Sequence, residues 1–166
     1  MVTLTTSLGA IELQLDAGSA PDTVSNFIAY VEGGHYDGIL FHRVIPNFMI
    51  QGGGMRAGVV ENPTRAPIEN EASNGLKNLR GTIAMARTQD PHSATAQFFI
   101  NLKDNSFLDH TEKSSVGWGY TVFGQVISGM DVVDQIASVE TRSVGHHENV
   151  PINDVIIEHA QLRDQQ

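Results

Sequence analysis

An arginine, two glutamines and several large apolar side chains fall in two short segments of this chain. The first, Phe41-His42-Arg43-Val44-Ile45-Pro46-Asn47-Phe48-Met49-Ile50-Gln51-Gly52-Gly53, reads as a strand delivering Arg43, a tight turn at Pro46-Asn47, and a second strand with Phe48, Met49 and Gln51. The second, Ala94-Thr95-Ala96-Gln97-Phe98-Phe99-Ile100-Asn101, puts Gln97, Phe99 and Asn101 on one strand face, because alternate residues share a side. If the two segments lie side by side, they make an apolar floor with one cation and two amides at its rim. None of these residues is an evident nucleophile. On pattern alone, Phe48, Met49 and Phe99 also read as ordinary core.

Several familiar chemistries are missing from the sequence. There is no Gly-x-Ser-x-Gly elbow and no phosphate loop ending in Gly-Lys-Ser/Thr. Gly52-Gly53-Gly54-Met55-Arg56-Ala57 matches a loose dinucleotide pattern, with Glu69 and Glu71 at about the right distance, but such a site needs a helix to start there. Gly58, Val59, Val60, Asn62 and Pro63 follow instead, and they are poor helix material. The chain has no cysteine, which removes disulfides, thiolate nucleophiles and cysteine-ligated metal. His146-His147-Glu148 lacks the i, i+4 spacing of a helical metal site and reads as a solvated, glycine-containing loop. His42 neighbours Arg43 on the expected strand, so the two point to opposite faces, and His42 is expected to pack inward or hydrogen-bond locally.

The elements that must position these residues are mostly strands. Val2–Thr5 and Ile11–Leu15 alternate apolar and polar residues around Ser7-Leu8-Gly9, which reads as a hairpin. Val24, Phe27, Ile28 and Val31 then mark one apolar helix face, with Pro21 and Asp22 in the first turn and Gly33-Gly34 at the end. A second helix fits Met130–Val139, with Ser128 and Asp131 spaced as a capping box and Val133, Ile136 and Ala137 as its buried stripe. Further strands are expected at Phe41–Ile45, Phe48–Gln51, Thr82–Ala86, Gln97–Asn101, Tyr120–Val126 and Val155–His159. About eight strands with only two helices predict a mainly β fold, a closed antiparallel barrel capped by the helices. The long segment Gly52–Gly81 has little periodicity and holds Pro63 and Pro67, so it belongs near a site or packed over the surface.

Composition sets the boundaries. With 166 residues, 40% hydrophobic and 17% charged, the chain can bury a core and is expected to form one domain over residues 1–166. Its formal charge of −9 argues against general affinity for nucleic acid or anionic lipid. The charge is uneven: residues 41–90 hold six of the ten cations and only four of the nineteen anions. No basic-then-apolar leader opens the sequence and no apolar run approaches the ~18 residues that span a bilayer, so a soluble, cytoplasmic protein is expected. One compact acidic domain without a spare apolar stripe further suggests a monomer.

The Phe41–Gly53 block, Arg80-Gly81-Thr82-Ile83-Ala84-Met85-Ala86 and Ser93–Ile100 together resemble the cyclophilin family of peptidyl-prolyl isomerases, in its bacterial cytoplasmic form. Ala20-Pro21-Asp22-Thr23-Val24-Ser25-Asn26-Phe27 and the closing Asp154-Val155-Ile156-Ile157 extend the resemblance over nearly the whole chain. It implies an eight-stranded barrel capped by two helices with a groove on its outer face. By position, Arg43 matches the catalytic arginine, and Gln51 and Phe48 belong with it. Phe48, Met49, Phe99 and Leu108 match the walls of a proline pocket, and Gln97 a second groove glutamine. Ala86 and Arg87 match the stretch whose backbone holds the substrate. Phe107 and Tyr120 stand where many eukaryotic members carry tryptophan and histidine, and Arg87 replaces a frequent asparagine. Losing the indole N–H implies that a cyclosporin-type ligand binds weakly. No cofactor or metal is implied; the partners would be X–Pro peptides and unfolded or newly made proteins. Two functions follow from such a groove: isomerisation of X–Pro bonds, or binding of proline peptides without relevant turnover.

Overall fold

Alternation in the first fifteen residues produces the expected hairpin, β1 (Val2–Thr6) and β2 (Gly9–Leu15), with Val2, Leu4, Ile11 and Leu13 fully buried on one face. The computed structural model describes residues 1–163 and continues with α1 (Pro21–Glu32), β3 (Ile39–Leu40), β4 (Arg43–Ile45), β5 (Met49–Gly52), β6 (Met55–Arg56) and β7 (Val60–Glu61). Then follow β8 (Thr82–Met85), β9 (Phe98–Asn101), β10 (Val122–Ser128), α2 (Met130–Ala137), β11 (Thr141–Val144), β12 (His147–Pro151) and β13 (Ile156–Leu162). The main sheet is antiparallel and runs β3-β13-β1-β2-β10-β8-β9-β5-β4.

That sheet has nine strands instead of the expected eight, and it curls without a hydrogen-bonded seam. Its two outermost strands, β3 and β4, are consecutive in the chain. The expected strand Phe41–Ile45 is therefore divided: β3 pairs with β13, β4 pairs with β5, and Phe41 and His42 bridge the change of partner. Phe41 donates its N–H to Val155 O at 2.9 Å at this crossing. The sheet is therefore a curled, open antiparallel sheet and not the closed barrel expected, with the β11–β12 hairpin packed beside its edge strand β4.

Inside the curl, Phe27 of α1 packs against Tyr36, Phe98 and Phe123, with ring centroids 5.2–5.6 Å apart. The helix contributes Val24, Phe27 and Val31 to this core, as its spacing predicts, with Tyr30 buried beside them and Ile28 only partly buried, and Pro21 occupies its first turn. Its N-terminus is capped from a distance. The Glu71 carboxylate accepts the Thr23 N–H at 2.7 Å, the Thr23 hydroxyl at 2.6 Å and the Asp22 N–H at 3.4 Å. Glu71 thereby pins the long Gly52–Gly81 segment, which also folds into the small β6–β7 hairpin and a short 3-10 turn at Ala72–Asn74. No helix starts at Gly52–Gly54, in keeping with the rejection of a dinucleotide site.

Three further expectations are corrected. Ser128 does not cap α2: the N-cap is Gly129, in a left-handed conformation at φ 91° where a Cβ would run into Ala10 O, and no side-chain hydrogen bond caps the helix among the described residues. His146-His147-Glu148 is not an open loop but the turn and start of the β11–β12 hairpin, which packs beside β4. Gln97 and Tyr120 fall just outside the strands expected to contain them, since β9 begins at Phe98 and β10 at Val122.

His42 lies buried beside this hairpin, its ring 6.4 Å from that of His147, and its Nδ1 has no hydrogen-bond partner among the described residues. Burial, then the charges of His147 and Arg43, lower its pKa from 6.5 to about 4. The folded state therefore resists protonation that the unfolded chain accepts. Stability is complete above pH 6.5 and declines as pH falls toward 4, by at most about 3 kcal/mol from this group. Urea unfolding at pH 7 and pH 5 should show the decline, and His42→Gln should flatten it; an unchanged slope in the variant would contradict the assignment. His35, whose pKa burial also lowers against a raising bond to Gly53 O, adds in the same direction.

Candidate active site

Strand register builds the site. Arg43 on β4 stands opposite Gln51 on β5, Gln51 opposite Phe99 on β9, and Phe99 opposite Ala84 on β8. Residues opposite one another share a face, so these four form one row across the sheet. Met49, two residues before Gln51, lies on the same face. Val44 and Ile50 take the other face and are fully buried in the barrel core, so the Arg43 row lies on the outside. The β4–β5 turn is made by Pro46 and Asn47; Asn47 adopts φ 61°, and Phe48 N–H closes the turn on Ile45 O at 3.1 Å.

On this outer face a second, smaller hydrophobic cluster forms from Met49, Ala84, Phe99, Leu108 and Val122, with Phe48, Ala86 and Tyr120 packed at its edge. It floors a cavity of about 140 Å³ lined by Arg43, Phe48, Met49, Gln51, Ala86, Arg87, Phe99, Leu108 and Tyr120. The cavity thus gathers nine of the eleven residues singled out in the sequence. The other two stand next to it. Gln97 accepts a hydrogen bond from Gln51 Nε2 at 2.9 Å, and Phe107, 70% exposed, packs its ring 5.7 Å from that of Phe48.

The polar rim is a relay. Arg43 Nη1 donates to Gln51 Oε1 at 3.1 Å, and Gln97 holds the far end of the Gln51 amide. This fixes the amide's direction and leaves the remaining guanidinium donors for a ligand. At the opposite side, the Arg87 guanidinium lies 4.4 Å from the centre of the Tyr120 ring, which in turn meets Phe99 edge-on at 5.7 Å. Among the described residues no serine, histidine or carboxylate lines the cavity. What the arrangement can do is hold a small apolar ring and donate a charge-assisted hydrogen bond beside it.

One supporting group was not legible in the sequence: a network of buried asparagines behind the pocket. Asn105 Nδ2 donates to Phe48 O and to Asn101 Oδ1, both at 2.9 Å, and Asn101 donates onward to Asn78 Oδ1 at 3.1 Å. Asn78 donates to Leu108 O at 3.2 Å, so the network fixes both Phe48 and the Ser106–Leu108 turn that carries Phe107 and Leu108. Asn101 is expected on a strand face beside Phe99, whereas Asn78 and Asn105 look like loop residues until pairing buries all three.

Gly54 guards the relay. A methyl group there would overlap the Gln97 side chain at Cγ, Cδ and Nε2. Gln97 can swing away, so Gly54→Ala should fold, but the Gln51 amide loses its anchor and Arg43 its orientation. The expected result is about a tenfold lower kcat/KM with thermal stability nearly kept. Unchanged turnover would show that the relay does not position Arg43.

Among the described residues no cluster of His, Asp or Glu is placed to hold a metal, and no helix is long and apolar enough to cross a membrane. The family model described as cyclophilin type peptidyl-prolyl cis-trans isomerase matches residues 1–162. The chain is 59% identical over 161 residues to peptidyl-prolyl cis-trans isomerase cyp18 of Streptomyces antibioticus, covering 97% of each. It is 56% identical over 158 residues to peptidyl-prolyl cis-trans isomerase B of Escherichia coli, covering 95% of this chain and 96% of that one. Its fold matches a cyclophilin-type isomerase of Cryptosporidium parvum, crystallised in the presence of the dipeptide Ala-Pro, at a TM-score of 0.79 and 23% identity over 99% of both chains.

Proposed function

The chain belongs to the cyclophilin-type peptidyl-prolyl cis–trans isomerase family, and from that premise we propose that the outer-face cavity is where it turns X–Pro bonds, with Arg43 as the catalytic residue. The observation that carries this reading is the pairing of an apolar, ring-sized cavity with a guanidinium held at its rim by Gln51 and Gln97.

The reaction asks little covalent chemistry of the protein. An X–Pro bond rotates over tens to hundreds of seconds unaided, against a barrier of ~18–20 kcal/mol that comes from amide resonance. At the twisted transition state that resonance is lost and the proline nitrogen regains its lone pair. Phe48, Met49, Phe99 and Leu108 hold the proline ring while the preceding residue rotates. Arg43 donates a hydrogen bond to the nitrogen as it becomes basic. A charge-assisted bond of this kind is worth roughly 1.5–3 kcal/mol, one to two decades of rate at ~1.36 kcal/mol each. The remaining acceleration comes from fitting the twisted proline better than either planar isomer, since equal grip on both would not speed turnover.

Nothing in this scheme transfers a proton. A guanidinium has no proton to give in the working range, and His42 is not among the described residues that line the cavity. The expected kcat/KM is constant within about twofold from pH 6.5 to 9, measured by NMR exchange on an X–Pro peptide. A steep fall through this range would assign a proton to some group and overturn the scheme. The same proposal sets the protein in the cytoplasm as a monomer acting on unfolded and newly made chains, a reading supported by the sequence. Phe107, with no indole N–H, supports weak binding of a cyclosporin-type ligand.

A further inference from the structure

Among the described residues the cavity is lined by two guanidinium groups and by no carboxylate. Arg43 belongs to the relay with Gln51, whereas Arg87 has no part in it. Arg87 is nevertheless held in place. Its guanidinium stacks on Tyr120, Nε donates to Gly119 O at 3.1 Å and Nη1 to Thr88 O at 2.9 Å. Both acceptors are neutral, so the charge is oriented without being cancelled. Among the described residues the ion pairs join Arg80 to Asp134 and His159 to Asp37, and neither cavity arginine has a carboxylate within 4 Å. Glu69 lines a small depression on another side of Arg87, but it is exposed and forms no ion pair with it.

This local positive field stands out on a protein whose formal charge is −9. Charges elsewhere on the surface are screened over about 8 Å at physiological salt, so the groups beside the ligand decide its electrostatics. A fixed, unpaired guanidinium matches a carboxylate better than any neutral group. We propose that Arg87 makes this site selective for X–Pro segments that carry an aspartate or glutamate beside the proline. The selectivity rests on the assignment of the cavity as the X–Pro site and adds to it a substrate class, acidic proline segments in preference to basic ones.

The test uses the full chain with peptides Ala-Xaa-Pro-Ala-Phe and Ala-Ala-Pro-Xaa-Phe, where Xaa is Glu, Gln or Lys. Exchange rate and affinity are read from the same NMR titrations. In at least one series, Glu should exceed Gln by about three- to tenfold in kcat/KM or affinity, and Lys should fall below Gln. Raising NaCl to 0.5 M should compress these ratios, Arg87→Gln should bring Glu and Gln within about twofold, and Arg87→Lys should retain the order. Equal values for all three peptides in both series would overturn the proposal, as would a Glu preference unchanged in Arg87→Gln. Tighter binding of the Glu peptide with no catalysed exchange would uphold the charge preference and overturn the isomerase assignment of the cavity.

Discussion

Arg43→Ala is expected to lower kcat/KM for X–Pro exchange by about a hundredfold while leaving the fold intact. The size follows from losing one charge-assisted hydrogen bond made chiefly in the twisted state, near the top of the usual range because a proline ring seated in the cavity would displace water from beside the guanidinium. Stability should change by less than about 1 kcal/mol, since Arg43 is only half-buried and the one side-chain partner of its guanidinium among the described residues, Gln51, is itself partly solvated. Arg43→Lys should recover only a small part of the loss. A lysine ammonium keeps the charge but cannot donate to Gln51 and to the prolyl nitrogen from one rigid fork. A loss below about threefold in Arg43→Ala would mean that the pocket alone carries catalysis.

Phe27→Ala tests the scaffold at its centre. The ring is fully buried and meets three other aromatic rings, one of them Phe98 edge-on at 5.6 Å. Truncation removes the buried area, leaves a cavity that neighbouring strands cannot close, and forfeits the ring contacts. The expected cost is about 3–5 kcal/mol in urea unfolding with an unchanged m-value. That is a large share of the roughly 5–15 kcal/mol that holds a typical domain. Phe98 adjoins both Gln97 and Phe99, so the same variant should also broaden the NMR signals of the cavity residues. A cost below about 1 kcal/mol would show that the helix does not anchor the barrel.

What could be read from the sequence follows the range of the interactions involved. The first hairpin and both helices announce themselves through local periodicity, because burial of one face is decided within a few residues. The Pro46-Asn47 turn is local too, and Asn47 at φ 61° bears out the residue type. Failures arose where a partner lies far along the chain. Ser128 looks like a cap for α2, but the backbone passes close to Ala10 O and needs a glycine at 129 instead. Glu71 caps α1 across forty-eight residues, which no local pattern encodes. Strands β6, β7, β11 and β12 are too short, or too polar, to alternate convincingly, and they are stabilised by hairpin pairing. The site shows the same division. Arg43, Phe48, Met49 and Gln51 are close in sequence and share one hairpin, whereas their union with Phe99, Leu108 and Tyr120 depends on pairing that only the resemblance to a known family made visible. Arg87 was legible as a replacement, but its unpaired charge emerged only with Tyr120 and Gly119 in place.

The most direct test of Arg43 catalysis is cis/trans exchange in an X–Pro peptide, followed by NMR through a peptide titration carried to saturation for wild type and Arg43→Ala, with affinity taken from the same titration. The expected result is fast exchange in the wild type, exchange nearly lost in the variant, and peptide still bound by both with affinities within about threefold. Saturable binding without accelerated exchange in the wild type would contradict it and leave a proline-binding groove with no catalytic arginine.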